Sequence, residues 1–198
     1  MGALLGWVLA GAVAVSPMPS DLASLKPPFV LSQPLSMIGQ DAFPIPPALR
    51  HGASPSGDYH LVLTLAEADG RRYTTASLYK ATEAVCQLVW SQPLPHSYGP
   101  RLALVSDRGI VVLLDDWINV ASPRAIVVLD RAGAVMVQYS FDDIVAAIGQ
   151  SRAAVVDQAA QGFWLAGNPE INRAGSHLSI PTAGGQLTLD LANGEIEF

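Results

Sequence analysis

Two uninterrupted apolar runs, residues 110–114 (IVVLL) and 125–129 (AIVVL), constrain this chain more than any other feature. Each is five residues long, too short for a typical helix. Their Val and Ile content and turn-forming flanks are those of strands buried on both faces. Ser106-Asp107-Arg108-Gly109 precedes the first run and Asp130-Arg131-Ala132-Gly133 follows the second. Gly supplies the positive φ of tight turns, and Asp hydrogen-bonds its own nearby backbone. With flanking strands at 102–105 and 134–141, residues 101–141 form a four-stranded antiparallel meander.

Between the runs lies residues 115–123 (DDWINVASP), too long for a two-residue hairpin. Loops on a rigid sheet are where binding concentrates, so Asp115, Asp116, Trp117 and Asn119 are candidate binding residues. Asp and Asn are also ordinary turn formers, and a Trp can simply tuck against the sheet. Residues 92–100 deliver the chain to this unit and add His96 and Tyr98 as candidate polar contacts. A lone His in such a Pro-rich loop is expected to be exposed. Calcium at Asp115, Asp116 and Asn119 is conceivable with oxygen ligands, but no recognised calcium pattern surrounds them, and no metal is assigned.

At 198 residues, one domain can bury its own core. Half the residues are hydrophobic and 14% are charged, which argues against disorder. Seventeen Gly and fifteen Pro fit the many turns of an all-β fold. A net charge of −6 with no basic stripe argues against nucleic acid or an anionic membrane surface as partner. Cys86 is the only cysteine, so neither an intramolecular disulfide nor a zinc site of the Cys-spacing type is available. Its strand-like context, without an electropositive neighbourhood, fits a small buried hydrophobe.

Residues 1–15 resemble a signal peptide: an apolar and Gly run from 2 to 15, then the small-x-small Ala12-Val13-Ala14. The first basic residue is Lys26, so a charged n-region is missing. Export to a periplasmic or extracellular space is the expectation, with a retained N-terminal membrane anchor as the alternative. Residues 16–53 form a Pro-rich extended arm, laid across the domain and pairing at a sheet edge or docking on another protein. Residues 54–198 form the β-repeat body. Its strands are expected at 58–65, 72–79 and 85–90, then in the meander, then at 162–166, 177–180, 186–191 and 195–198. Asp69-Gly70 and Asn193-Gly194 are hairpin turns. One short helix is expected near 142–148, capped by Ser140 or Asp142 and stopped at Gly149. Residues 151–161 fit either helix or strand.

The body repeats itself. Ser54-Pro55-Ser56-Gly57 and Ser106-Asp107-Arg108-Gly109 open two units, and a second turn precedes Val85, Val135 and Ile196 at intervals of 50 and 61 residues. Units of roughly 40–50 residues with four strands each are the mark of propeller blades. VVLDRAGAVMVQY and LTLDLANGEIEF resemble β-propeller repeats of the PQQ-like or quinoprotein-like kind, in which a strand ends in Asp-x-x-x-Gly; the second segment matches that spacing and the first is one residue shorter, Asp130 to Gly133. The resemblance implies about three blade-like antiparallel meanders, a partial propeller or open sheet stack. A closed ring needs about four to eight blades, so it implies completion by another copy or another protein. No residues of a quinone or metal site match, and no cofactor is implied.

The sequence contains no nucleophile elbow, zinc-protease motif or phosphate loop. Adjacent carboxylates on a strand point to opposite faces, so Asp115-Asp116 is not by itself an acid/base pair. No catalytic residue is assigned. The expectation is a non-enzymatic, exported interaction module with a protein partner or self-association. A hydrolase using the loop carboxylates, or a small-ligand or sugar-binding domain stacking on Trp117, are the alternatives.

Overall fold

The computed structural model describes residues 45–83 and 85–198. The signal-like segment and residues 16–44 of the arm lie outside the described residues. No helix among the described residues is long and apolar enough to cross a membrane.

Among the described residues, three four-stranded antiparallel sheets follow one another along the chain. Sheet 1 holds β1 (Leu49–Ala53), β2 (Tyr59–Ala68), β3 (Arg71–Ala81) and β4 (Cys86–Pro93). Sheet 2 holds β5 (Pro100–Val105), β6 (Val111–Asp116), β7 (Ile126–Leu129) and β8 (Val135–Tyr139). Sheet 3 holds β9 (Glu170–Ile171), β10 (His177–Thr182), β11 (Gly185–Asp190) and β12 (Ile196–Glu197). Each sheet is a plain meander with strands paired in chain order, and none closes into a barrel. Val135 and Ile196 open the last strands of sheets 2 and 3, and Val85 immediately precedes the last strand of sheet 1, so the three positions of the sequence repeat fall at matching places in the three sheets.

Sheet 2 is the middle layer, and its register shows why its two apolar runs have no polar alternation. Val111, Leu113, Val127 and Leu129 pack with Leu61, Leu63, Ala76 and Leu78 of sheet 1. Val112, Leu114, Ile126 and Val128 pack with Leu178, Ile180, Leu187 and Leu189 of sheet 3. Period-two alternation sends neighbouring side chains to opposite faces, and here both faces are core. All eight of these sheet 2 side chains are buried.

The segment between sheets 2 and 3 closes one side of the larger core. It holds α1 (Phe141–Ile148) and α2 (Arg152–Asp157). Phe141, Ile144 and Ile148 face inward, Val155 follows, and Trp164 is wholly buried beside them. Ser140 and Asp143 form a reciprocal capping box, and Gly149 ends α1 in the left-handed conformation. Asp142 pairs with Arg152. Ser140→Ala removes the acceptor for Asp143 N–H, and a loss of about 1 kcal/mol is expected from chemical denaturation. An unchanged midpoint would show that core packing alone holds α1.

Several sequence expectations need correction. Residues 162–166 form no strand; only an isolated bridge, Gln161 to Leu165, occurs there. The Trp164 and Leu165 side chains are held by core burial, not by a ladder. The undecided stretch 151–161 contains α2, because Ser151 accepts from Ala154 N–H as an N-cap. β1 forms from the last five residues of the arm and pairs with β2 at the sheet edge. β9, only two residues long, carries too little pattern to be read from sequence. Cys86 opens β4 and is partly exposed rather than buried.

Candidate functional site

Five of the six sequence-derived candidates, Asp115, Asp116, Trp117, Asn119 and His96, meet at one end of the seam between sheets 1 and 2. Asp115 and Asp116 are not loop residues. They complete β6, where Asp116 pairs with Pro100 at the start of β5. The true connection therefore begins at Trp117. A shared strand separates the two carboxylates, as the pleat requires.

Asp115 is fully buried, at 0% exposure, and takes a positive φ of 56°. Asp tolerates this left-handed conformation better than most residues. One carboxylate oxygen accepts from Phe163 N–H at 2.7 Å, and the other from Asp116 N–H at 3.1 Å. The segment after α2 is thereby tied to the end of β6. At Gly162 a side chain would collide with Asp115 Oδ2 and the Arg101 side chain. Burial pushes the Asp115 carboxyl up to about 6, against the pull of the two N–H donors and the nearby Arg101. Asp116 accepts from the Ser122 hydroxyl, and Arg124 Nη2 lies 3.9 Å away.

Two guanidinium groups lie near the Trp117 ring, Arg50 at 5.2 Å and Arg101 at 5.4 Å from the ring centroid. Both are within cation–π range. The Trp117 backbone N–H donates to Gly99 O at 3.1 Å. Arg101 also donates through Nη2 to Trp117 O and to Asn119 Oδ1, which pins residues 117–119. Arg50 Nη1 donates to Pro100 O at 2.5 Å.

His96 is the clearest departure from the sequence reading. It is fully buried, at 0% exposure, and neither ring nitrogen has a hydrogen-bond partner among the described residues. Burial lowers its proton affinity; Asp116 and the Arg124 backbone oppose this, while the Arg124 and Arg50 guanidinium charges reinforce it. A Pro-rich loop becomes interior here because Leu94 inserts into the core between sheets 1 and 2, with its N–H on Thr74 O at 2.7 Å. Tyr98 lies one residue before Gly99 and has Arg72 5.5 Å from its ring. It therefore faces β3 rather than the Asp115–Asn119 group.

Arg50, Arg101, Arg124, Thr74 and Gly99 complete the site, and sequence reasoning missed all five. The only available signal was weak: Arg101 and Arg124 sit beside strongly apolar strands in a chain with eleven basic residues. A groove of about 500 Å³ lies elsewhere, between β4 and β8, lined by Gln92, Leu94, Val127, Leu129, Val135 and Gln138 among others. None of its lining residues carries a titratable side chain. No group of three or more His, Cys, Asp or Glu side chains suited to a metal occurs among the described residues. No protein-family model matches the chain, and a search of curated proteins gives no match.

Proposed function

We propose that this chain is an exported, non-enzymatic β-repeat interaction module that acts through protein–protein contacts, in the first instance with a second copy of itself. The observation that supports this is the incomplete stacking. Sheet 2 is covered on both faces, whereas sheets 1 and 3 each have one face that no described residue of the core covers. The outer face of sheet 1 carries His51, His60, Tyr73 and Tyr79 around the buried Val62, with no carboxylate among these residues. His51 Nε2 and His60 Nδ1 lie 3.0 Å apart in stacked rings. The outer face of sheet 3 carries Glu170, Asp190 and Glu197 beside His177, Ser179 and Thr188.

A face rich in hydroxyl and imidazole donors thus matches a face rich in carboxylate acceptors on the other end of the same molecule. Such a contact is head to tail, and it closes if the rotation allows. Two copies bring six sheets together, a number within the range of closed propellers. A hydrolase has less support, because Asp115 is buried and committed to backbone N–H groups while Asp116 holds Ser122.

The test is the solution mass of the full chain by light scattering on a sizing column. A particle of twice the 20.8 kDa chain mass is expected. Charge reversal at Glu170 and Glu197 should return it to one chain mass. A monomer at tens of micromolar would remove self-association and move the search to a different protein partner. A dimer indifferent to the charge reversal would place the contact on another surface.

A further inference from the structure

We propose that Arg50, Thr74, His96 and Arg124 form an oxyanion-binding site at the loop end of the seam between sheets 1 and 2. The ligand is of the carboxylate or phosphate class.

The first ground is an uncompensated charge. Arg50 is partly buried and makes no ion pair among the described residues. Burial and the neighbouring Arg101 push its guanidinium down to about 10. Leaving a buried charge without a counter-charge is strongly destabilising. Three guanidinium groups gather here, and the two local carboxylates are already engaged. Asp115 holds Phe163 and Asp116 N–H groups; Asp116 holds Ser122 and lies near Arg124.

The second ground is independent of charge. Seven buried polar side-chain atoms among the described residues have no hydrogen-bond partner, and five of them lie here. They are Thr74 Oγ1, both ring nitrogens of His96, and Nε of Arg101 and Arg124. Buried polar groups are nearly always paired, so a concentration of exceptions points to a partner of another kind. Nearly all these groups can donate, which selects an acceptor-rich ligand. The paired N–H groups of a guanidinium match two oxygens of one carboxylate or phosphate.

The third ground is the way the backbone holds Arg50 and Thr74 together. Gly99, at φ +81°, brings bare backbone against Arg50 and Thr74, and any Cβ there would collide with Arg50 Nη2 and press on Thr74 Oγ1 at 3.1 Å. The guanidinium of Arg50 lies between this glycine and the Trp117 ring. A side chain at position 99 would displace the Arg50 guanidinium from this place, so the glycine fixes where the arginine sits. The site does not depend on the assembly proposed above.

The test titrates the full chain with inorganic phosphate and, separately, sodium acetate, against sodium chloride at matched ionic strength. Thermal midpoint and calorimetric binding are followed. A saturable rise in midpoint with phosphate or acetate beyond that in chloride is expected. Preference between the two identifies the phosphate or carboxylate source. Arg50→Met should weaken binding at least tenfold and, because it removes an unpaired buried charge, leave the anion-free midpoint equal or higher. Arg50→Lys keeps the charge, loses the fork, and should bind severalfold more weakly; it also serves if the Met variant does not fold. Equal responses to all three salts, or full binding by Arg50→Lys and Arg50→Met, would overturn the assignment. So would a lowered anion-free midpoint in Arg50→Met without any anion response in the parent chain, which is the mark of a purely structural arginine.

Discussion

Asp115→Ala is expected to destabilise the chain by roughly 4 kcal/mol. Phe163 N–H and Asp116 N–H lose their acceptor together, and each buried N–H left unpaired costs about 1–3 kcal/mol. Alanine at φ 56° adds about 1–2 kcal/mol of backbone strain. Arg101 also loses its nearest carboxylate. Urea denaturation followed by Trp fluorescence measures the loss, and a change below about 1 kcal/mol would show that the tie between β6 and residue 163 is dispensable. Asp115→Asn separates charge from shape. The folded carboxyl titrates near 6, above the ordinary 3.8, so the folded state holds this proton more tightly than the unfolded state. Its stabilising contribution is complete below about pH 4 and is lost as pH rises through 6. Measured against Asp115→Asn, the parent chain should therefore lose on the order of 3 kcal/mol between pH 4 and 7. A difference independent of pH would mean that Asp115 ionises freely in the fold.

Leu113→Ala and Leu114→Ala should each cost about 2–5 kcal/mol, because both side chains are wholly buried. Their consequences should differ in place. Leu113 packs toward Leu61 and Leu78 in sheet 1; Leu114 packs toward Leu178 and Leu187 in sheet 3. Hydrogen exchange should therefore accelerate first in β2 and β3 for the former variant, and in β10 and β11 for the latter. Identical exchange patterns would contradict a middle sheet with two separate cores. The adjacent positions make a sensitive test, since one residue of register exchanges the two faces.

Much of the architecture was legible from local chemistry. The runs at 110–114 and 125–129 had to be strands because they are short, β-branched and bounded by turns, and β6 and β7 lie there. Helix α1 was readable from its capping candidates Ser140 and Asp142 and its stop at Gly149, since capping is decided within a few residues; the structure settles the cap on Ser140, with Asp143 as its capping-box partner. Strand β1 was obscured by the prolines around it, and α2 by alanines that serve either structure. The candidate site was legible only as a neighbourhood. Asp115, Asp116, Trp117 and Asn119 do lie together, and His96 joins them. Tyr98 faces Arg72 instead.

The amino-acid sequence by itself determined the periods, the turns and the repeat, because these depend on residues close together in the chain. Only the tertiary structure decided what each polar side chain meets. Arg50 and Arg101 are far apart in sequence, yet both flank Trp117, and Asp115 finds its partner at Phe163. Burial sets the state of these groups: it hides His96, raises the Asp115 carboxyl, and leaves Arg50 without a counter-charge. Burial depends on how whole sheets stack, and no local window of sequence carries that information.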